Sequence, residues 1–386
     1  MSEARVNNLS NENNTGGPTI SGITTFSGTN YFVPPVGNTA QRPENPQKGA
    51  IRFNTDSLKL EYFRGNTIGW VEIEASNERL GDSTLASDKS AKGTGFRGLA
   101  MGGTDGSQPY GINNIDMITI PTMGNSSDFG DMHVAVNQTA AFGSRKRGVS
   151  CGGNTSANQY GNSDTYMVIF ASTGNASDFY TLSATSKEST AYSNDIRGFY
   201  VEPQVTQITY VNIEAGGNFQ DFGTLDDKTE QGQSFTSSTR GVIVNGYSAP
   251  SFNATCEFIT LMTLGNATDF GDTTDARYGA SGGSNATRGV VAGGYYPAVL
   301  NIIDFCTIAT TGNFTDFGDL TETKYGIQGG SASSKTRMVI MGGYTSTHVN
   351  TIESIEFDTT GNAVDFGDLS TVRSGAGQCS NGHGGL

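Results

Sequence analysis

From about residue 97 to its end the chain repeats itself, and a repeat of this length allows few folds. The block Gly-Asn-x-x-Asp-Phe begins at Gly124, Gly174, Gly217, Gly265, Gly312 and Gly361, at intervals of 50, 43, 48, 47 and 49 residues. A second marker keeps the same rhythm: Arg97, Arg147, Arg197, Arg240, Arg288 and Arg337 each open a short apolar run such as RGVVAGG. Four residues before each marker glycine stand Ile120, Phe170, Ile213, Leu261, Ile308 and Phe357, and two residues earlier Ile118, Val168, Val211, Ile259, Cys306 and Ile355. The column between them is mostly polar, which is the period of two of a half-buried strand. The Arg-led run is a second strand, whose small residues and Gly-Gly end suit crowding near an axis. The D-F-G-D stretch and the Gly-rich segment after it leave room for two more. Four short strands in about 48 residues make a propeller blade.

A solenoid of the same units would need distinct polar caps. Here SGAGQCSNGHGGL at the end matches the segments that precede the Arg-led strand elsewhere, while Arg97 lacks such a predecessor. Pairing of the Gln378 region with the Arg97 strand would hide both sheet edges. The expected fold is therefore all-β: a small N-terminal β domain and a six-bladed, kelch-like propeller. The boundaries read 1–20 as an extended arm, 21–75 as a β-rich attachment or oligomerisation domain, 76–95 as a Gly/Ser-rich linker and 96–386 as the propeller.

Composition narrows the functions. The 53 glycines among 386 residues, with 16% charged and 10% aromatic, point to turn-rich β structure rather than disorder. A net charge of -14 without a basic run disfavours nucleic acid as a partner. No segment has the apolar length of a membrane helix, and MSEARVNNLSNENN lacks the core of a signal peptide, so neither membrane insertion nor secretion is expected. Cys151, Cys256, Cys306 and Cys379 are scattered without ligand spacing and read as buried free thiols.

The N-terminal region has its own pattern. Ile51 and Phe53 alternate, a turn runs through Asn54–Ser57, Leu58, Leu60 and Tyr62 alternate in turn, and Trp70, Val71 and Ile73 form a third strand. So small a meander has little core and is expected to pack against identical copies, the repeat region or a neighbouring protein.

IIDFCTIATTGNFTDFGDLTETKYG followed by TRxVxxGGY resembles the propeller repeats of virion structural proteins in T4-like and other tailed phages of cyanobacteria. GAIRFNTDSLKLEYFRGNTIGWVEI is similar to a module near the start of phage tail-fibre and baseplate-associated proteins. Together these cover roughly residues 20–386. They imply a virion component at the tail, baseplate or another particle surface, joined to other virion proteins through its N-terminal region, homo-oligomeric, and able to meet a host surface glycan or protein. The third unit departs from the pattern, with Glu202-Pro203 for Gly-Gly and Tyr180 for the glycine of D-F-G.

Several stretches imitate catalytic signatures. GTGFRG at 93–98 lacks the βαβ context of a dinucleotide site, and GASGG around Ser281 lacks the strand-turn-helix of a nucleophile elbow. Asp-Phe-Gly recurs five times, where a kinase needs it once; its Phe is better placed as a wedge between blades. His133, His348 and His383 occupy unlike repeat positions and read as surface residues, and the Asp-rich turns lack EF-hand spacing, so no metal or cofactor is expected. The chain therefore reads as non-enzymatic, a structural or adhesive protein; the alternative is a propeller glycan hydrolase, for which Glu202 is the clearest exception among acidic residues that mostly sit in shared repeat columns. Two residue sets follow. Asp128, Asp178, Asp221, Asp269, Asp316 and Asp365 are expected to pair with the six repeat arginines in a ring of charge-assisted contacts. Tyr110, Tyr160, Tyr247, Tyr295, Tyr296 and Tyr344, in the loops after the Arg-led strands, are the candidate ligand-binding residues.

Overall fold

A computed structural model describes residues 34–57, 59–72, 97–107, 111–244, 246–327, 330 and 332–386. The expected arm at 1–20, the opening residues 21–33 of the β domain, Leu58, Ile73, the linker 76–95 and Tyr110 lie outside the described residues. The chain divides into two compact units, 1–81 and 82–386.

In the first unit, strands Val36–Gly37, Ile51–Asn54, Lys59–Phe63 and Trp70–Glu72 form one sheet in that order, the first pair parallel and the others antiparallel. Alternation gives the sheet two unlike faces. One is ionic: Glu61, wholly buried, meets Arg42 at 2.5 Å and Arg52 at 3.3 Å, and Asn54 Nδ2 donates to it at 3.3 Å. The hydrogen-bonded Arg42 guanidinium holds the Glu61 carboxyl below the usual carboxylate range. Phe63 and Trp70, 5.5 Å apart, lie on this face. The apolar residues whose alternation announces the sheet occupy the other face, and Ile51 and Leu60 there are exposed.

The second unit is all-β and propeller-like, with small antiparallel four-stranded sheets. From innermost to outermost strand, the first comprises Gly377–Ser380, Arg97–Met101, Ile112–Thr119 and Ser127–Val136; the second Ala140–Gly143, Arg147–Cys151, Asn162–Ile169 and Ser177–Ser186. The third holds Thr190–Ser193, Arg197–Val201, Gln207–Asn212 and Gln220–Thr224; the fourth Gln233–Thr236, Arg240–Val244, Thr255–Thr260 and Thr268–Asp272. The fifth holds Ser281–Ser284, Arg288–Ala292, Ile302–Thr307 and Thr315–Asp319; the sixth Ala332–Ser333, Arg337–Tyr344, His348–Glu356 and Val364–Asp368. The expected pairing of the chain's end with the Arg97 strand is present, with Gln378 opposite Ala100. Each innermost strand touches that of the next sheet, and the sixth touches the first, so the order of contacts is cyclic. The Arg-led run, expected near the axis, is thus second from it, and the Gly-rich segment is the innermost strand instead.

Three sets of bonds join neighbouring sheets. Along the axis, Ser193 Oγ donates to the Gly143 carbonyl at 2.7 Å, Thr236 to Ser193 at 2.9 Å, Ser284 to Thr236 at 2.7 Å, Ser333 to Ser284 at 3.0 Å and Ser380 to Ser333 at 2.7 Å. The sixth place is Gly143, where a Cβ would stand 2.8 Å from the Ser380 carbonyl. Farther out, each repeat arginine donates to a main-chain carbonyl of the following sheet: Arg97 to Phe170, Arg147 to Ile213 at 2.8 Å, Arg197 to Leu261 at 2.9 Å, Arg240 to Ile308 at 3.0 Å, Arg288 to Phe357, and Arg337 to Ile120 at 3.0 Å. These contacts replace the expected Arg–Asp ring. The six aspartates open the outer strands, exposed to water, where a carboxylate needs no counter-charge.

At the rim, the marker block of one sheet clasps the outer strand of the sheet before it. Gly361 N donates to Phe317 O at 2.8 Å, Ala363 N to Asp319 O at 2.8 Å, and Asn362 Oδ1 accepts from Asp319 N at 3.1 Å. This contact requires the glycine of D-F-G: a Cβ on Gly318, whose φ is +149, would stand 2.4 Å from the Gly361 carbonyl. Tyr180, read above with the third unit, lies in the second sheet, where it takes the glycine's place and its ring lies close over Gly216 instead. Inside the clasp the phenylalanines serve as the expected wedge, Phe129 packing with Val168 and Phe170 of the next sheet and Phe317 with Ile355 and Phe357.

His383 is not on the surface. It is buried where the axis meets Gly143, Ser193 and Thr236. Its Nδ1 accepts from Gly385 N at 3.2 Å and its Nε2 lies 2.8 Å from the Gly143 carbonyl, so a neutral ring uses both nitrogens.

Candidate functional site

The loops that follow the Arg-led strands lie beside the segments that enter the innermost strands, at the end of the axis opposite His383. Four of the loops form a short bridge with the neighbouring segment. In the fifth sheet the bridge is Tyr295 with Tyr278 and in the sixth Tyr344 with Tyr325, whereas in the first and second it is Thr104 with Ser374 and Asn154 with Asn137. In the fourth, Tyr247 N donates to the Glu230 carbonyl at 2.9 Å. One half of this face is therefore aromatic and the other polar.

The aromatic half is continuous. Tyr247 lies 5.0 Å from Phe252, which stacks on Tyr296 at 4.1 Å and on Tyr278 at 5.4 Å. Tyr278 leads to Tyr295 at 5.6 Å, Tyr295 to Tyr325 at 5.3 Å, Tyr325 to Tyr344 at 5.5 Å and Tyr344 to His348 at 5.1 Å. The rings crossing these three sheets are partly open to solvent, and Tyr296 is exposed. Of the six tyrosines singled out by sequence, the fold thus brings Tyr247, Tyr295, Tyr296 and Tyr344 together. Tyr160 stands apart, 88% exposed. Phe252, Tyr278, Tyr325 and His348 complete the strip. Tyr278 and Tyr325 share one repeat column, Tyr-Gly before the innermost strand, which was a signal available in the sequence.

The residues around the axial opening share the left-handed conformation: Gln138 at φ 56, Glu188 at 61, Gln231 at 52, Gly279 at 67, Gly326 at 70 and Gly375 at 67. Three units use glycine there, and three hold a side chain at a strain of about 1 kcal/mol or more each. The chain passes hydrogen bonds around this opening, from Glu188 N to Gln138 O at 3.0 Å, Gln231 N to Glu188 O at 2.8 Å and Gly279 N to Gln231 O at 3.0 Å. The Glu188 carboxyl accepts from the Gln138 amide and that of Glu230 from the Gln204 amide. Burial, and then the neighbouring Glu230 carboxyl, push the Glu188 carboxyl up to about 7. Flat rings beside acid and amide groups can stack on the C–H face of a sugar and bond its hydroxyls, or can pack against a protein side chain.

Glu202, the outlying acid of the sequence, accepts from Ser183 Oγ at 2.7 Å on the third sheet. All four cysteines are free and buried, and burial pushes the Cys306 thiol up to about 12, far from thiolate chemistry. Among the described residues no group of three or more His, Cys, Asp or Glu is placed to hold a metal ion. No protein-family model matches the chain, and no curated protein matches it.

Proposed function

We propose that the chain is a non-enzymatic structural protein of a virus particle, in which an N-terminal attachment unit carries a closed six-bladed, kelch-like propeller whose aromatic face makes assembly or host-adhesion contacts. The observation that carries this reading is the strip from Tyr247 to His348, held partly open on a framework in which side chains of one sheet are bonded to the main chain of another. The cyclic order of innermost strands and the Arg337–Ile120 contact support the six sheets as six blades. The tailed-phage resemblance of the repeats and of GAIRFNTDSLKLEYFRG supports a place on the particle surface, at the tail or baseplate, with other virion proteins held through the N-terminal region. A rigid scaffold presenting variable loops is how such surfaces are commonly built.

The second reading, a propeller glycan hydrolase, is favoured by the carboxyls of Glu188 and Glu230 beside the strip. Binding of the full chain to host cells and to their purified surface polysaccharide tests both. Replacing Tyr295 and Tyr296 by alanine should weaken binding roughly tenfold, about 1.4 kcal/mol, with the melting temperature unchanged. Release of reducing ends, abolished by Glu230→Gln, would establish the hydrolase. A particle map with this face buried against another virion protein would make the chain a connector rather than an adhesin.

A further inference from the structure

The rim clasp described for Gly361 and Ala363 on the fifth sheet recurs between the sixth and first sheets, the first and second, the third and fourth, and the fourth and fifth. In each of these seams an asparagine Oδ1 of the clasping block also accepts a main-chain N–H of the outer strand at 3.1 Å. The seam between the second and third sheets is the exception. Bonds from Gly217 to Phe179 and from Phe219 to Thr181, and the bond from Thr181 to Asn218, are not formed among the described residues. Gly216 N donates instead to Asn212 O at 2.9 Å, inside its own turn. The cause is Tyr180. The other five outer strands have glycine there, with φ between +134 and +153, a region that suits glycine alone. The Tyr180 backbone stays outside that region, and its ring, close over Gly216, holds the third sheet's block off the strand. The main-chain N–H and C=O of Tyr180 both bond Thr165 Oγ1 on the inward side, so those of Phe179 and Thr181 point outward. Phe179 is partly exposed, whereas the other five phenylalanines of this column are between 1% and 3% exposed, and Thr181 is open to water. A bare strand edge of this kind is a template for another strand.

We infer that this seam is a strand-addition site, where an extended segment of another protein supplies the bonds that Gly217, Asn218 and Phe219 withhold. The five closed seams define what the segment must offer. It runs parallel to the outer strand, with two N–H groups two residues apart for the carbonyls of Phe179 and Thr181. Between them it places an asparagine-like acceptor for the Thr181 N–H. Partly buried Met167, Phe179 and Phe219 give it apolar contact. Charge decides its flanks: Asp164 stands opposite Thr181, Asp178 is exposed, and Glu202 bonds Ser183 Oγ just beyond. A segment flanked by lysine or arginine therefore fits, and a second copy, with its net charge of -14, is repelled. The site lies on the rim between the second and third sheets, and it does not depend on the reading given to the aromatic strip of the fourth to sixth.

The probe is the peptide Lys-Lys-Thr-Gly-Asn-Ala-Thr-Lys-Lys, blocked at both ends and titrated onto the full chain while hydrogen exchange of single amides is followed. In the free chain the Thr181 amide should exchange at least about tenfold faster, after correction for intrinsic rates, than those of Asp131, Thr224, Asp272 and Asp319, which are bonded to asparagine side chains. Saturating peptide should slow Thr181 by about tenfold or more. Methylating the peptide's glycine and alanine nitrogens removes both donors and should weaken binding roughly 30-fold. Tyr180→Gly, which frees the third sheet's block to close the seam, should slow Thr181 without peptide and weaken peptide binding. The methylated peptide leaves the protein untouched, so the test stands even if that variant fails to fold. Three results would overturn the inference: a Thr181 amide as slow as its counterparts in the free chain, no binding at about 1 mM peptide, or equal binding of the methylated peptide. Protection of Thr181 that grows with protein concentration alone would give the edge to a second copy and overturn its assignment to another protein.

Discussion

Removing the guanidinium of Arg373 should loosen the sheet that joins the two ends of the repeat region. Arg373 enters the innermost strand of the first sheet, and its Nη2 lies 3.1 Å from Asp116 Oδ2 on the third strand, with side-chain exposures of 0% and 1%. Its Nη1 also bonds the carbonyls of Gly102 at 3.1 Å and Asn114 at 3.3 Å. Methionine can fill the stem's volume but leaves Asp116 enclosed without a cation, and breaking a buried pair from one side costs about 3–5 kcal/mol. Asp116 keeps bonds from Ser370 N at 2.8 Å, Ser370 Oγ at 2.7 Å and Ser126 Oγ at 3.1 Å, which places Arg373→Met at the low end, about 3 kcal/mol. For a unit of this size that is a fall in melting temperature of roughly 6 °C by calorimetry. Adding Asp116→Asn removes the stranded charge and should restore most of the loss, so the double-mutant cycle gives a coupling of about 2 kcal/mol. A single variant within about 0.5 kcal/mol of the parent, or a double variant no better than the single, would refute the reasoning.

Two further outcomes follow from the axis and the rim. Burial pushes His383 down to about 4, against about 6.5 in an unfolded chain, so the unfolded state holds more protons between those values and stability falls as pH drops from about 6.5 towards 4. Glu188 has the opposite sign: raised to about 7, it adds stability as pH falls from 7 towards its unfolded value. Comparing the pH dependence of the melting temperature with that of His383→Asn therefore isolates the histidine, whose removal should flatten the acid limb by up to about 3 kcal/mol. Gly318→Ala should cost about 2 kcal/mol or more, read by chemical denaturation, because its methyl meets the Gly361 carbonyl and its φ of +149 suits glycine alone.

The strands were legible because each alternates over residues whose apolar columns recur unit after unit, and the closing pair because what Arg97 lacks stands before Leu386. The order of strands within a sheet was not. Both the Arg-led run and the Gly-rich segment are built of small residues, and the closeness to the axis that separates them arises from packing between sheets. The acceptors of the repeat arginines were equally hidden, since a main-chain carbonyl leaves no mark on the sequence. Of the candidate site, the tyrosines after the Arg-led strands were visible as loop residues, but Tyr278 and Tyr325 come from the opposite side of the bridge. Alternation in residues 51–62 disclosed a sheet without disclosing which face is covered, because the covering groups, Arg42 and Asn38, flank a single 3-10 turn that has no strand period.

The innermost strand of the first sheet, Gly377–Ser380, is made after every other strand of the repeat region. During synthesis five sheets can form as they emerge, but the Arg97 strand waits with one edge bare until these residues clear the ribosome. Seating of His383 against Gly143 comes later still. A product that stops before Gly377 keeps that edge bare, and a bare strand edge is a template for aggregation. Pairing of Gly377–Ser380 with the Arg97 strand therefore reports that the chain has been translated through residue 380.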